Sequence, residues 1–254
     1  MDVSIRHIGV ATVVISLNGT TVINDPCFDE AGSWYHHGFG AFSRKTKDPE
    51  LSPDELSRVP DIGLVTHGHH RDNLDSRGRK YLTNVDTVIS TVYSSDKVPG
   101  AVGLESGEKH RPDQVDSDLT IHAVSAQHGV SLLSTLSGPV NGYVLEFESA
   151  DTRLYVSGDT IYNERITAAV RSLGQIDLFV PHLGNAYFPY LSGPLRYTMN
   201  ASDLKYFLTD LEPRFTYPVH NEGWTHFRPV DLSSFTRGTA RSKFLTVRKC
   251  EVTL

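Results

Sequence analysis

Apolar and polar positions alternate along "SIRHIGVATVVISL", through Val13, Ile15 and Leu17, and predict a strand with one buried face. "NGT" reads as a hairpin turn into a second strand, "TVINDP", which Pro26 ends. Residues 27–50 lose the alternation and are rich in aromatics (Phe28, Trp34, Tyr35, Phe39, Phe42), so they read as loop. At "SPDELSRV", Ser52 and Glu55 complete a capping box and predict a short helix. Short apolar runs predict strands at "DIGLVTH", "TVIST", "LTIHAVSAQH", "IDLFVPHLG" and "RFTYPVH", and "NGYVLEFES" with "TRLYVSGD" reads as a hairpin. The period lengthens in "YNERITAAVRSLG", where Ile166, Ala169, Val170 and Leu173 share a helical face that Gly174 stops. Ser202 caps a further helix with Leu204, Phe207, Leu208 and Leu211 on its apolar face, broken by Pro213. Paired strands come first and alternate with helices later. That order predicts sheets packed on one another with helices outside, not one doubly wound parallel sheet.

The 254 residues, with no low-complexity block, repeat or Gly/Ser linker, read as one domain over 1–254. A hydrophobic share of 39% supports a packed core and excludes a disordered chain. A net charge of −6 argues against a nucleic-acid partner, although a local pocket can still be basic and take a small anionic substrate. Cys27 and Cys250 form neither a disulfide framework nor a metal knuckle. The N-terminal stretch shows no basic n-region and no apolar h-region, and no run approaches the roughly 18 to 20 apolar residues of a membrane span. The expectation is a cytoplasmic protein, with room for a homo-oligomer.

Twelve histidines change the picture, because imidazole is the commonest metal ligand. In "LVTHGHHRDNLD", His67 and His69 stand two apart at a predicted strand end, where alternate side chains point the same way. Asp72 follows within reach of the same space; the plainer alternative is a polar loop with Asp72 as a helix cap. His128, Asp159 and His220 each end a predicted strand, the place where α/β sites gather, and Gly158 allows an unusual backbone angle beside Asp159.

On these residues the chain resembles the metallo-β-lactamase superfamily, most closely the branch similar to L-ascorbate-6-phosphate lactonase. "IGVAT" and "INDPCF" match its opening strand pair; the 67–73 region, the lone His128, "SGDT" and "YPVH" follow in its order. The resemblance implies an αββα four-layer sandwich with a site at one edge for one or two divalent ions. It implies that His67, His69 and His128 bind the first ion, that Asp159 bridges, and that Asp72 and His220 bind the second. It also implies that Asp25 orients a ligand histidine from behind. Zinc is the first choice for such donors, with manganese and iron also compatible.

The pattern is broken in one place. The family's H-x-H-x-D-H is replaced by "HGHHRDN", with one residue inserted and Asn73 in the slot of the last histidine. If the strand end anchors the motif, His67 and His69 are the pair; if Asp72 anchors it, His70 becomes the second ligand. The first reading is preferred and His70 stays open. An amide is a poor ligand beside imidazole, so the second ion is expected to be weak or refilled from elsewhere, with His182 in "VPHLGN" as the refill or as a hydrogen-bonded cleft residue.

The aromatic loop 31–43, including Trp34, and the segment 184–200, including Tyr187, are expected to shape the pocket, with Arg71 and Arg196 as clamps for an anionic group. His36 and His37 read as a solvated loop near the site. Asp72 is also a candidate to orient the attacking water, and His226, six residues past His220, to line the pocket or act in proton transfer, or to be a structural residue. The resulting expectation is a hydrolase in which a metal-bound hydroxide attacks a small lactone, ester or phosphoester. The alternatives are mononuclear iron chemistry with oxygen or sulfur on the same fold, and a non-catalytic binder with an altered metal site.

Overall fold

The computed structural model describes residues 2–98, 100–113, 115, 118–130, 132–236 and 242–254. Two seven-stranded sheets face each other across the main core. In the first, the strands Lys249–Thr253, Asp2–Gly9, Thr12–Leu17, Thr20–Asn24, Ile62–Leu64, Thr87–Thr91 and Ala101–Leu104 lie side by side in that order. In the second the order is Lys243–Phe244, Phe215–Thr216, Leu178–Val180, Thr152–Val156, Asn141–Phe147, Leu119–Ser125 and Lys109–His110. Each sheet is antiparallel in one half and parallel in the other. The parallel halves bring successive strand ends to one edge.

Alternation decides which side chains meet. Tyr143, Leu145 and Phe147 point into the space between the sheets with Ile5, Ile15, Ile62 and Leu64, whereas Val144 and Tyr155 point outward. The helices Glu164–Ser172 and Ala201–Leu211 cover that outer face through Ile166, Val170, Leu204, Phe207 and Leu208, as their spacing predicts. The helix Ser76–Leu82 covers the outer face of the first sheet through Tyr81 and Leu82. Helix, sheet, sheet and helix make the expected αββα sandwich.

Four local expectations are corrected. The opening alternation is not one strand but two, folded back at Val10–Ala11, with Val13 opposite His7 and Val10 at φ +52°. Residues 52–59 form one 3₁₀ turn at Pro53–Glu55 rather than a helix; Ser52 N–H does donate to Glu55, at 2.8 Å, but Leu56 is already extended and Pro60 bars continuation. The "RFTYPVH" strand is regular only at Phe215–Thr216. The helix after the histidine-rich stretch is capped by Asp75, which accepts from Gly78 N–H at 2.8 Å, so Asp72 is released from that role.

Candidate metal centre

The strand Ile62–Leu64 ends before the histidines, and residues 65–75 run as turns along the edge shared by both sheets. Asn141 N–H donates to the Thr66 carbonyl at 3.0 Å and ties the two sheets together at that edge. Around this point gather the chain segments that follow Asn24, Leu64, Ser125, Val156, Val180 and Thr216, which carry Asp25, His67, His128, Asp159, His182 and His220.

Two groups of donors result. His67, His70 and His128 form one, and Asp159, His182 and His220 the other, with each group's donor atoms within 4.8 Å of one another. Nε2 of His128 lies 3.1 Å from Nδ1 of His70. Asp159 stands between the groups: Oδ2 is 3.8 Å from His67 Nε2 and 3.9 Å from His128 Nε2, and Oδ1 is 3.2 Å from His182 Nδ1 and 3.4 Å from His220 Nδ1. Asp72 faces His220 Nε2 at 3.6 Å and His226 Nε2 at 3.2 Å.

The expected pairing of His67 with His69 is not the one the fold brings together. His69 turns aside and donates through Nε2 to the Ser137 carbonyl at 2.6 Å. Its ring lies over Gly138, where a Cβ would stand 2.9 Å from Nε2. His70 takes its place.

The backbone behind the donors fixes their tautomers. Asp25 accepts from Thr66 N–H and Thr66 Oγ1–H, both at 2.7 Å, and from Asn73 Nδ2 at 3.1 Å. With its proton given to Asp25, Thr66 Oγ1 accepts from His67 Nδ1 at 3.0 Å, which leaves Nε2 of His67 as a free lone pair. His128 Nδ1–H donates to the Tyr197 carbonyl at 3.0 Å, so its Nε2 carries the lone pair and faces His70 Nδ1. Asn73 thus serves Asp25, with its Nδ2 turned to that carboxylate. His182 is held between Asp159 and Asn24, whose Nδ2 lies 3.4 Å from His182 Nε2.

Burial sets the charges. It pushes the imidazoles of His67 and His70 well below their ordinary pKa, so both are neutral donors. Burial also opposes charge on Asp72 and Asp159, yet His220 and His226 around the first, and His220, His182 and His67 around the second, hold both well below the carboxylate range. Burial likewise opposes charge on His220, but Asp159 and Asp72 outweigh it and raise its pKa. Asp25 is raised to about 6, mainly by burial. Among the described residues, Asp72 and Asp159 form ion pairs only with histidines.

The donors fit a divalent cation. His67 Nε2, Asp72 Oδ1 and both ring nitrogens of His220 are buried without a hydrogen-bond partner among the described residues, each a cost of about 1–3 kcal/mol unless something binds there. Ligands at about 2.05 Å around a tetrahedral ion stand roughly 3.3 Å apart; the separations here run from 3.1 Å for His70–His128 to 3.9 Å for Asp159–His128, so a small inward movement completes the site.

The other expected residues divide. His37, expected in a solvated loop, turns into the site, its ring 5.1 Å from that of His226, while His36 packs outside on Phe42. The surrounding chamber is lined by residues of both expected segments, notably Phe39, Ala41, Phe188 and Tyr197. Trp34 is instead 66% exposed on a small hairpin, and Tyr187 lies under the Arg228 guanidinium at 3.6 Å. Arg71 reaches Ser76 Oγ at 3.3 Å, and Arg196 grips both oxygens of Asp203 at 2.7 and 2.8 Å. Neither arginine lines the chamber, because each has a partner outside it that the linear pattern does not show. Helix Leu132–Ser137, which supplies Leu133 and Leu136 to the wall, was missed; "SLLSTLS" carries only a weak helical pattern.

Comparison with known proteins agrees with this fold. A family model described as the beta-lactamase superfamily domain matches residues 4–220. The chain belongs to the metallo-β-lactamase superfamily. No match is found among curated protein sequences. Among solved structures, a possible metal-dependent hydrolase from Veillonella parvula aligns with a TM-score of 0.81 at 18% identity, over 99% of each chain. Isothiocyanate hydrolase from Delia radicum gut bacteria aligns with 0.78 at 19% identity, also over 99% of each. CmlA, a diiron β-hydroxylase from Streptomyces venezuelae, aligns with 0.65 at 17% identity, over all of this chain and 54% of its own. At these identities the likeness is one of fold. Among the described residues, no helix is long and apolar enough to cross a membrane.

Proposed function

We propose that the protein is a metal-dependent hydrolase of small molecules, with a principal divalent ion on His67, His70, His128 and Asp159. The observation that carries this reading is Asp159 set between two donor groups, one carboxylate oxygen toward each. An ion held there would lower the pKa of a water and stabilise negative charge on the attacked group. Zinc suits the donors best, and manganese or iron remains compatible with imidazole and carboxylate. Asn73 turns its Nδ2 to Asp25 and keeps only its Oδ1, a poor ligand beside imidazole, so a second ion would rest on Asp72, Asp159 and His220 with His182 or that oxygen, and is the weaker of the two.

The chain's own residues then supply the proton path. Asp72, ionised and with Oδ1 free, is placed to accept a hydrogen bond from the attacking water and orient it, and His226, whose Nε2 lies 3.2 Å from its other oxygen, is the proton-transfer group for the leaving oxygen, the proton that the water releases making good the one delivered. In an ester or lactone the water oxygen adds to the acyl carbon, the acyl C–O bond breaks, and the departing alcohol takes the proton. Lactones and esters rank first through the resemblance to the ascorbate-6-phosphate lactonase branch, which is analogy and not site chemistry. The test is ester hydrolysis by purified protein before and after chelation and after zinc is restored. Loss and recovery of at least about a hundredfold supports the reading; turnover indifferent to metal, or activity restored by iron alone with oxygen consumed, overturns it.

A further inference from the structure

The site opens into a chamber of about 160 Å³ whose floor carries His70, Asp72, His128, Asp159 and His226. Its walls are different in kind. Phe39, Leu133, Leu136, Phe188 and Leu191 line them, and among the described residues no lysine or arginine does. Polar groups of Ser137 and His37 in the wall are already engaged: Ser137 Oγ donates to the Leu133 carbonyl at 2.8 Å, the Ser137 carbonyl accepts from His69, and His37 Nε2 lies 2.6 Å from Ser43 Oγ. The apolar lining also continues outward, since Phe39, Leu136 and Leu191 are 73%, 53% and 45% exposed at the rim.

A formal charge brought into this chamber would lose hydration and gain no partner beyond the metal centre. An apolar group gains about fourfold in affinity for each methylene it buries. A cavity of about 150 Å³ with such walls is known to admit benzene, so an aryl group is within range. Building on the hydrolase reading, we infer that the substrate is an uncharged ester or lactone bearing an aryl or alkyl group. That group packs against Phe39, Leu136, Phe188 and Leu191, and only the reactive carbonyl reaches the histidines. Phosphoesters and the anionic substrates suggested by Arg71 and Arg196 are disfavoured by the same walls.

Two measurements test this separately from the hydrolase reading. With zinc-loaded protein, kcat/KM for 4-nitrophenyl butanoate is expected to exceed that for the acetate by about tenfold or more, and that for the anionic 4-nitrophenyl hemisuccinate by a similar factor. With metal-free protein, calorimetry is expected to show binding of neutral 4-phenylbutanamide, weakened about tenfold by Leu136→Glu and by Leu191→Glu, with melting temperatures checked for each variant. Binding with no turnover of any ester keeps the apolar chamber and removes the hydrolase reading. Equal or faster turnover of the hemisuccinate, indifference to chain length, or no amide binding overturns the inference.

Discussion

Nδ1 of His70 stands 3.1 Å from Nε2 of His128, while its neighbour His69 points away to the Ser137 carbonyl at 2.6 Å. Two adjacent histidines therefore have different tasks. His70→Ala is expected to weaken zinc binding by about a hundredfold or more, and His69→Ala by less than about tenfold. Competition with a chromogenic chelator measures both, and equal losses would contradict the assignment.

Thr66 passes a hydrogen bond from His67 to Asp25, and the chain Asp25–Thr66–His67 fixes which imidazole nitrogen is free. Thr66→Val keeps the shape but leaves His67 Nδ1 unpartnered. The expected effect is a loss of about 10- to 100-fold in zinc affinity, read by the same titration. Asp25→Asn, which exchanges the acceptor oxygen for a competing donor, is expected to fall in the same range.

Gly158 sits at φ +60°, and a Cβ there would meet the Asn141 carbonyl at 2.7 Å. Gly158→Ala combines left-handed strain with a backbone clash next to Asp159. Thermal and denaturant melts are expected to show a loss of about 2–4 kcal/mol, together with weaker metal binding. A stability change below about 0.5 kcal/mol would show that this turn is softer than its geometry indicates.

His7 is buried with Nε2 2.9 Å from the Val10 carbonyl, and burial lowers its pKa below 6.5. Protons then bind the unfolded chain more readily than the folded one. Stability from this residue is complete above about pH 6.5 and is lost as the pH falls toward the lowered folded-state value, by at most about 1.4 kcal/mol per pH unit. Urea melts between pH 7 and 5 are expected to fall less steeply for His7→Gln than for the parent protein. An identical slope would contradict this.

Much of this molecule is legible in the sequence because local periods report local burial. Ile166 and Val170, or Leu204, Phe207 and Leu208, lie on the buried faces that their spacing predicts. The choice between His69 and His70 is not legible in that way. Alternation of side chains holds only while the chain is a strand, and regular pairing stops at Leu64, before the histidines begin. The break at Val10–Ala11 is hidden because both residues are apolar and continue the pattern across the turn. The pairing of Lys249–Thr253 with the first strand joins opposite ends of the chain, and Asp203 captures Arg196 through the fold of a loop; neither leaves a local trace.

Anomalous diffraction from crystals grown with zinc tests the central claim most directly. The expected result is an ion about 2.0–2.1 Å from nitrogens of His67, His70 and His128, with Asp159 beside it and a weaker peak or none toward His220. An ion ligated by His69 in place of His70, or two sites of equal occupancy with Asn73 as a ligand, would contradict it.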